Sequence, residues 1–351
     1  MSLNELRKKI DALDEKIVKL LNQRAKFSQA IGRHKARKQA GIYVPARERQ
    51  VLKNIKAVNK GPMTEEALEA VYREIMSSSL SLEKSLQVAY LGPEASFTNF
   101  AAVRKFGSQV GYVSCGTISE VFQKVENADC DYGVVPIENS IEGAVTNTFD
   151  LLVDSDLKIC AHLVIEISHN LMSTTSLDKI KKVYSKLEVF GQCRRWLQDH
   201  LPHAELMDVA STTRAAQIAA KEKDAAAIAS LLAADIYHLH VVKKGIEDSS
   251  HNVTRFLVIG KSDAQPTGED RTSLLFSIRD KVGALHAMLE PFDENKINLT
   301  KIESRPSKKK AWDYYFFLDC EGHREDEKVK KALAKLDGMC KFLKILGSYP
   351  R

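Results

Sequence analysis

Between residues 4 and 39, apolar side chains recur at Leu6, Ile10, Leu13, Ile17, Leu20, Phe27 and Ile31, in steps that alternate four and three. That spacing is the seam of a coiled coil. A helix of that span is about 54 Å long, too long to bury its own stripe. The segment therefore predicts a second chain laid against it. One step of the seam is missing, between Leu20 and Phe27, and Arg24 fills it. A guanidinium in an apolar seam is costly unless something pairs with it.

Gly41 is expected to end this helix, and Pro45 to open a second over about 46–59. Gly61–Pro62 breaks the chain again. Thr64 is a natural N-cap, with Glu65 and Glu66 in the first turn of a third helix that runs to about Leu86. Residues 1–60 hold 16 Lys+Arg against 5 Asp+Glu, a surplus of 11; the whole chain carries +6, so the remainder carries −5. A basic segment can bind nucleic acid, bind a small polyanion or present a solvated face. The positions of the charges favour the small polyanion. Arg7 and Arg24 lie 17 residues apart, nearly five turns, and Lys35 follows eleven residues later, about three turns, so all three share one face. Ser79 and Glu83 are an i, i+4 pair on the third helix. Arginines and a lysine around one pocket suit a compact molecule with two carboxylates.

From Gln87 the pattern changes. VAYLG (88–92), VGYVSC (110–115), YGVVPI (132–137) and KICAHLVIEI (158–167) read as strands, separated by helical segments at 97–106, 118–128 and 144–153. AELMDVA (204–210), a helix over 212–223, AAAIAS (225–230) and TRFLVIG (254–260) continue the alternation. This is an α/β layer pattern, which places ligands at the carboxyl ends of strands, and it is long enough for two lobes with a cleft. The polar run KSDAQPTGED (261–270) reads as a linker. After it the order strand, helix, strand, strand, helix, strand predicts a ferredoxin-like unit.

The rest of the composition excludes several classes. No apolar run approaches the roughly 20 residues needed to cross a bilayer, and no secretory core follows Arg7, Lys8 and Lys9. The six cysteines form no CxxC pair, so a reduced, cytoplasmic protein is expected. His169, His251 and His286 lack metal-ligand spacing, so no metal is expected.

The first 86 residues carry a specific resemblance. LRKKIDALDEKIVKLLNQRAKFSQAIGRHK, then RERQ and SSSLSLEK, are similar to the all-helical class of chorismate mutases, in which two chains intertwine. The resemblance implies that Arg7 is lent to the partner's site and that Arg24 and Arg47 hold the substrate carboxylates. Lys35 and Glu83 would face the ether oxygen of the breaking bond, Glu48 would meet the substrate hydroxyl, and Ser79 would lie close by. Many relatives carry Asp where this chain has Val44, and Gln where it has Glu83. Only a protonated Glu83 can donate to the ether oxygen, so mutase activity is expected to fall as pH rises through its titration. The implied [3,3] rearrangement needs no cofactor: it needs a compact conformer and positive charge where electron density accumulates.

The middle segment resembles prephenate dehydratase. LGPEASF (91–97), IENSIEGAV (137–145), GQC (191–193), STTRAA (211–216) and HNVTRF (251–256) each stand at a strand end or helix start. The resemblance implies Thr254 as the residue that helps the departing hydroxyl, with Asn139, Ser140, Gln192, Ser211 and Thr212 binding substrate. Arg255 would anchor a carboxylate or form a structural ion pair, and Glu138 would assist Thr254 or be structural. A threonine is a weak acid and needs polarisation by neighbours or a relayed proton. Two positions depart from the family: Ala95, where relatives usually carry glycine, and Lys186-Leu187, where they carry His-Pro. Cys193 reads as a small buried residue rather than a nucleophile.

At the carboxyl end, GALH (283–286) and ESRP (303–306) resemble the ACT regulatory domain of prephenate dehydratases. That implies a phenylalanine site lined by Gly283, Ala284, Leu285, His286 and Asn298, with Glu303, Ser304 and Arg305 at or near it. The segments then read as an all-α three-helix intertwined domain (1–86), a two-lobed α/β domain like periplasmic binding proteins (87–262) and an α+β ferredoxin-like ACT domain (271–351). Together they resemble the bifunctional chorismate mutase–prephenate dehydratases, with chorismate, prephenate and phenylalanine as small-molecule partners. A homodimer or dimer of dimers is implied, with no nucleic acid and no membrane. A DNA-binding ligand sensor would need a helix-turn-helix, which the unbroken first helix lacks. A monofunctional dehydratase with a merely oligomerising arm would leave the isolated 1–86 fragment inactive on chorismate.

Overall fold

The computed structural model describes residues 1–37, 43–249, 251–278, 281–307 and 314–351. The expected helix stop at Gly41 lies outside the described residues. Three helices open the chain: α1 (Leu3–Arg37), α2 (Pro45–Val58) and α3 (Glu65–Glu83). The Thr64 hydroxyl caps α3 by accepting from Ala67 N at 3.2 Å, as its position predicts. α1 packs on α3, and Gly32 lets them close: a Cβ there would meet Glu83 Cγ at 2.9 Å. The seam of α1 stays bare in the single chain, with Phe27 72% and Ile10 56% exposed.

A first lobe follows, made of β1 (Gln87–Leu91), α4 (Phe97–Phe106), β2 (Gly111–Cys115), α5 (Ile118–Glu126), β3 (Tyr132–Asn139), β4 (Gly143–Ala144), α6 (Thr146–Asp154) and β5 (Lys158–Glu166). The chain then builds a second lobe from β6 (Asn170–Ser173), β7 (Lys182–Ser185), α7 (Leu187–Gln192), α8 (Arg194–His200), β8 (Glu205–Asp208), α9 (Thr212–Ala219), β9 (Ala225–Ala229), α10 (Leu231–Tyr237) and β10 (His240–Lys243). It returns through β11 (Val253–Gly260), which inserts antiparallel between β3 and β5. The sheet orders are β2-β1-β3-β11-β5, with β4 on β3, and β10-β6-β9-β7-β8. Strands β6, β7 and β10 have only four residues each, too short for a period to announce them. Because β11 runs against β3, its first residues lie at the carboxyl edge of β1–β3. Ala95, in the turn after β1, takes a left-handed φ of 68°, the conformation that makes glycine the ordinary choice there.

The last unit is β12 (Asp270–Ser277), α11 (Ala284–Glu294), β13 (Leu299–Pro306), β14 (Tyr314–Glu321), α12 (Glu327–Asp337) and β15 (Phe342–Pro350), in sheet order β13-β14-β12-β15. This is the expected βαββαβ order. The unit sits directly on the first lobe. A Cβ on Gly347 would lie 2.3 Å from Ile159 O, so only glycine lets β15 approach β5 this closely. Lys344 Nζ donates to the carbonyls of Leu152, Val153 and Ser155 at the end of α6. The linker is packed rather than loose: Ala264 is buried, and Asp263 pairs with Arg324 at 2.7 Å. No helix among the described residues is long and apolar enough to cross a membrane.

Candidate active sites

The helical domain encloses a cavity of about 400 Å³ whose lining includes Arg24, Lys35, Tyr43, Val44, Arg47, Glu48, Ser79 and Glu83. Six of the eight residues singled out for catalysis thus line one space. Arg24 Nη1 donates to Ser79 Oγ at 2.5 Å, and Ser79 in turn donates to Ile75 O. The odd residue of the seam therefore has its partner on α3. Lys35 Nζ lies 3.1 Å from Glu83 Oε2, whose side chain is 8% exposed; in this pairing Glu83 accepts. Arg7 is not in the cavity. It lies 17 residues before Arg24 on the same helix, about 25 Å away. Val44 is the N-cap of α2 and offers no side-chain acceptor to the helix amides.

Two residues that the sequence did not signal hold the Glu48 carboxylate. Tyr43 OH donates to Glu48 Oε2 at 3.0 Å, and Lys105 Nζ, from α4 of the first lobe, reaches the same oxygen at 2.7 Å. Burial, with the Glu48 carboxylate beside it, holds the Tyr43 phenol well above its ordinary pKa, so it stays a donor. No spacing links residues 43, 48 and 105, because their meeting depends on how the domains dock.

The second site forms at the junction of the lobes. Thr254 on β11 stands opposite Asn139 on β3. Asn139 Nδ2 donates to Thr254 Oγ1 at 2.8 Å and lies 2.7 Å from Asn252 Oδ1. Asn139 Oδ1 accepts from the amides of Ile141 and Glu142, which fixes the orientation of its side chain. Asn252 Nδ2 donates to Gln192 Oε1 at 2.9 Å, and Gln192 Nε2 donates to Glu142 Oε1 at 2.8 Å. His169 Nε2 is 2.7 Å from the same Gln192 oxygen. An amide oxygen only accepts, so His169 carries its hydrogen on Nε2. Burial lowers the pKa of His169 and favours this neutral form. Thr254 is only 9% exposed, and a chain of amides stands behind it. Asn252, His169 and Glu142 were not foreseen. HNVT contains the first, but its role appears only when β11 lies beside β3.

Other predicted residues separate from this cluster. Residues alternate across a strand, so Arg255 and its cross-strand neighbour Glu138 face away from Thr254 and Asn139. Arg255 pairs with Asp319 at 2.7 Å, with Glu138 at 3.2 Å and with Tyr349 OH at 2.8 Å. Lys301 also bonds to Glu138. The Arg255 guanidinium thus faces the ACT sheet and not the Thr254 cluster, the arrangement of the structural ion pair that was one of its two sequence readings. Glu138 faces the same way, paired with Arg255 and Lys301. Ser140 Oγ donates to His251 O and accepts from Val253 N, so it stitches β3 to β11. Ser211 caps α9 by accepting from Arg214 N. Ser211 and Thr212 stand at the carboxyl edge of β8, the edge where Ser230, after β9, donates to Ala95 O across the lobes. Cys193 is fully buried, and burial raises its thiol pKa, as expected for a packing residue.

In the last unit, Gly283 is the left-handed N-cap of α11, with φ 77°. Ala284 is buried, while Leu285 and His286 are exposed. Glu303, Ser304 and Arg305 lie toward the end of β13, at the sheet edge. Asn298 stands before β13, at the opposite end of the sheet, and its carbonyl accepts from Glu321 N. Asn298 and the Gly283 turn are thus at opposite ends of α11 in one chain.

Comparison with known proteins gives the same three parts. Residues 6–84 match the family described as chorismate mutase type II, residues 88–264 match prephenate dehydratase, and residues 272–338 match the ACT domain. The chain is 51% identical to the bifunctional chorismate mutase/prephenate dehydratase of Aquifex aeolicus (strain VF5), over 99% of this chain and 98% of that one. Among solved structures it resembles prephenate dehydratase from Arthrobacter aurescens in complex with L-Phe (TM-score 0.70, 31% identity, 76% of this chain and 90% of that one). It also resembles the prephenate dehydratase of Staphylococcus aureus subsp. aureus Mu50 (TM-score 0.66, 32% identity, 75% of this chain and all of that one).

Proposed function

The chain belongs to the family of bifunctional chorismate mutase/prephenate dehydratases, and from that premise we propose which of its residues perform each step. The enzyme rearranges chorismate to prephenate, then dehydrates and decarboxylates prephenate to phenylpyruvate, under feedback inhibition by phenylalanine.

In the first step Arg24 and Arg47 hold the two carboxylates of chorismate, and Glu48 accepts from its hydroxyl. Lys35 lies against the ether oxygen, where negative charge builds as the bond breaks. Ser79 keeps Arg24 aimed. A copy of the chain supplies Arg7 from the far end of its own first helix, and the bare apolar seam supports that homodimer. In the second step the electrons of the breaking bond to the ring carboxylate flow through the ring and expel the C4 hydroxyl, leaving carbon dioxide and an aromatic ring. Thr254 donates a hydrogen bond to the departing oxygen. Asn139 occupies a lone pair of the Thr254 hydroxyl, which turns the hydroxyl hydrogen away from Asn139 and polarises it. Gln192, Ser211 and Thr212 bound the substrate from the second lobe. Phenylalanine binds at the Gly283–His286 turn, and Asn298, Glu303, Ser304 and Arg305 contribute where two such domains meet. All six cysteines are free thiols, in keeping with a cytoplasmic enzyme.

The observation that carries this reading is the bond from Asn139 to Thr254 in a chain that also holds the cationic cavity. The test is a timed assay of the purified protein on chorismate, with and without phenylalanine, that follows prephenate and phenylpyruvate separately. Phenylpyruvate formed from chorismate and suppressed by phenylalanine is the expected result. Prephenate accumulating alone would remove the Thr254 site, and untouched chorismate would remove the mutase reading.

A further inference from the structure

We propose that Lys105, a residue of the dehydratase part of the chain, is a positioning residue of the mutase site, holding Glu48 in place for the substrate hydroxyl. The inference rests on the reading of the helical cavity as the chorismate site. It makes the set of one cavity wall, the Glu48 carboxylate, depend on a second domain of the same chain.

Lys105 lies in the last turn of α4, where its backbone is pinned on both sides. The Phe106 ring packs 4.9 Å from the ring of Tyr43. Gly107 lies so close to α3 that a Cβ on it would stand 2.4 Å from Ser77 Cβ. The next residues extend the dock: Ser108 bonds to Glu74, and Gln109 N donates to Ser77 Oγ. From this anchored position the ammonium passes 5.7 Å from the centre of the Tyr43 ring and ends 2.7 Å from Glu48 Oε2. Tyr43 OH binds the same oxygen. Two donors on one carboxylate oxygen fix the plane of the group and leave Oε1 to accept from a ligand.

The electrostatics give Lys105 a further task. Glu48 shares its cavity with Arg24, Lys35 and Arg47. A loosely held carboxylate there would swing to one of those cations and compete with the carboxylates of the substrate. Lys105 occupies Glu48 from behind, at a pair whose side chains are only 22% and 15% exposed, where water weakens the attraction little. The cavity cations then stay available to the substrate.

A simple docking salt bridge would show the same distance, so the test separates the two roles. The full chain is assayed for mutase activity on chorismate and for dehydratase activity on prephenate supplied directly. The proteins compared are wild type, Lys105→Met, Lys105→Arg, Glu48→Gln and the double variant Lys105→Met/Glu48→Gln. The expected result is a roughly tenfold fall in mutase kcat/KM for Lys105→Met, recovery to within about threefold in Lys105→Arg, and unchanged dehydratase activity. In the Glu48→Gln background, Lys105→Met should have little further effect, because the group it positions is gone. Unchanged mutase activity in Lys105→Met, an equal loss in both backgrounds, or a parallel loss of both activities would overturn the proposal. Wild-type protein inert toward chorismate would overturn the reading of the cavity as well, whereas normal wild-type turnover with an unaffected Lys105→Met removes only this inference.

Discussion

Arg255 extends from the strand position next to Thr254 and meets Asp319 of the ACT sheet at 2.7 Å. Neighbours in sequence on β11 therefore face opposite tasks, one toward the lobe junction and one toward the regulatory unit. Asp319 also accepts from Ser273, which contacts Tyr349 OH, so the guanidinium enters a buried polar network.

Asp319→Ala leaves Arg255 facing an empty half of its site. Breaking one partner of a buried pair costs about 3 kcal/mol, so urea unfolding should show a loss of that order. Dehydratase activity should fall at least tenfold while mutase activity stays within twofold of wild type, because the pair adjoins Thr254 and not the helical cavity.

Thr254→Val keeps the shape of the side chain and removes its hydroxyl. Dehydratase kcat should drop roughly 100-fold or more, with mutase activity unchanged. Thr254→Ser should retain most of the rate. Asn139→Ala should mimic the valine variant in part, since the hydroxyl survives but loses the donor that turns it.

Glu83→Gln replaces an acceptor with a neutral amide that donates at every pH. The variant should therefore turn over chorismate faster than wild type, by roughly threefold to tenfold in kcat, because a donor then faces the ether oxygen. Chorismate consumption by both proteins checks it; an unchanged or lower rate in Glu83→Gln would refute the role given to Glu83.

His162 is pushed down to about 3 by burial and by Arg255 and Arg271 beside it. A base with a lowered folded pKa takes its proton first in the unfolded chain. Its contribution is therefore full above about pH 6.5 and is lost as pH falls toward 3, by up to about 1.4 kcal/mol per pH unit. Urea midpoints at pH 7 and pH 5 should show this loss, and His162→Gln should reduce the slope.

Val44→Asp should stabilise the protein by about 1 kcal/mol, because Val44 is an N-cap without a side-chain acceptor. Thermal unfolding of the full chain measures it. The same carboxylate would border the cavity, so its effect on KM for chorismate reports whether the missing polar contact matters there.

Local pattern determined a large part of this protein. The seam with Arg24 in it, the Thr64 cap and the strand–helix alternation each follow from neighbours within a few residues, and so they can be read directly. The cations at 24 and 35 share a face because helical periodicity carries them there, whereas Arg47 joins them from α2. The face of a strand on which a residue lands, and what waits there, is not local. Thr254 and Arg255 adjoin in sequence, yet only the insertion of β11 between β3 and β5 sends one to Asn139 and the other to Asp319. Gln192, Asn252 and His169 join one network for the same reason, and Lys105 reaches Glu48 because α4 is docked against α3 and Tyr43. Such contacts are set by which surfaces bury together, a property of the folded whole that no spacing along the chain encodes.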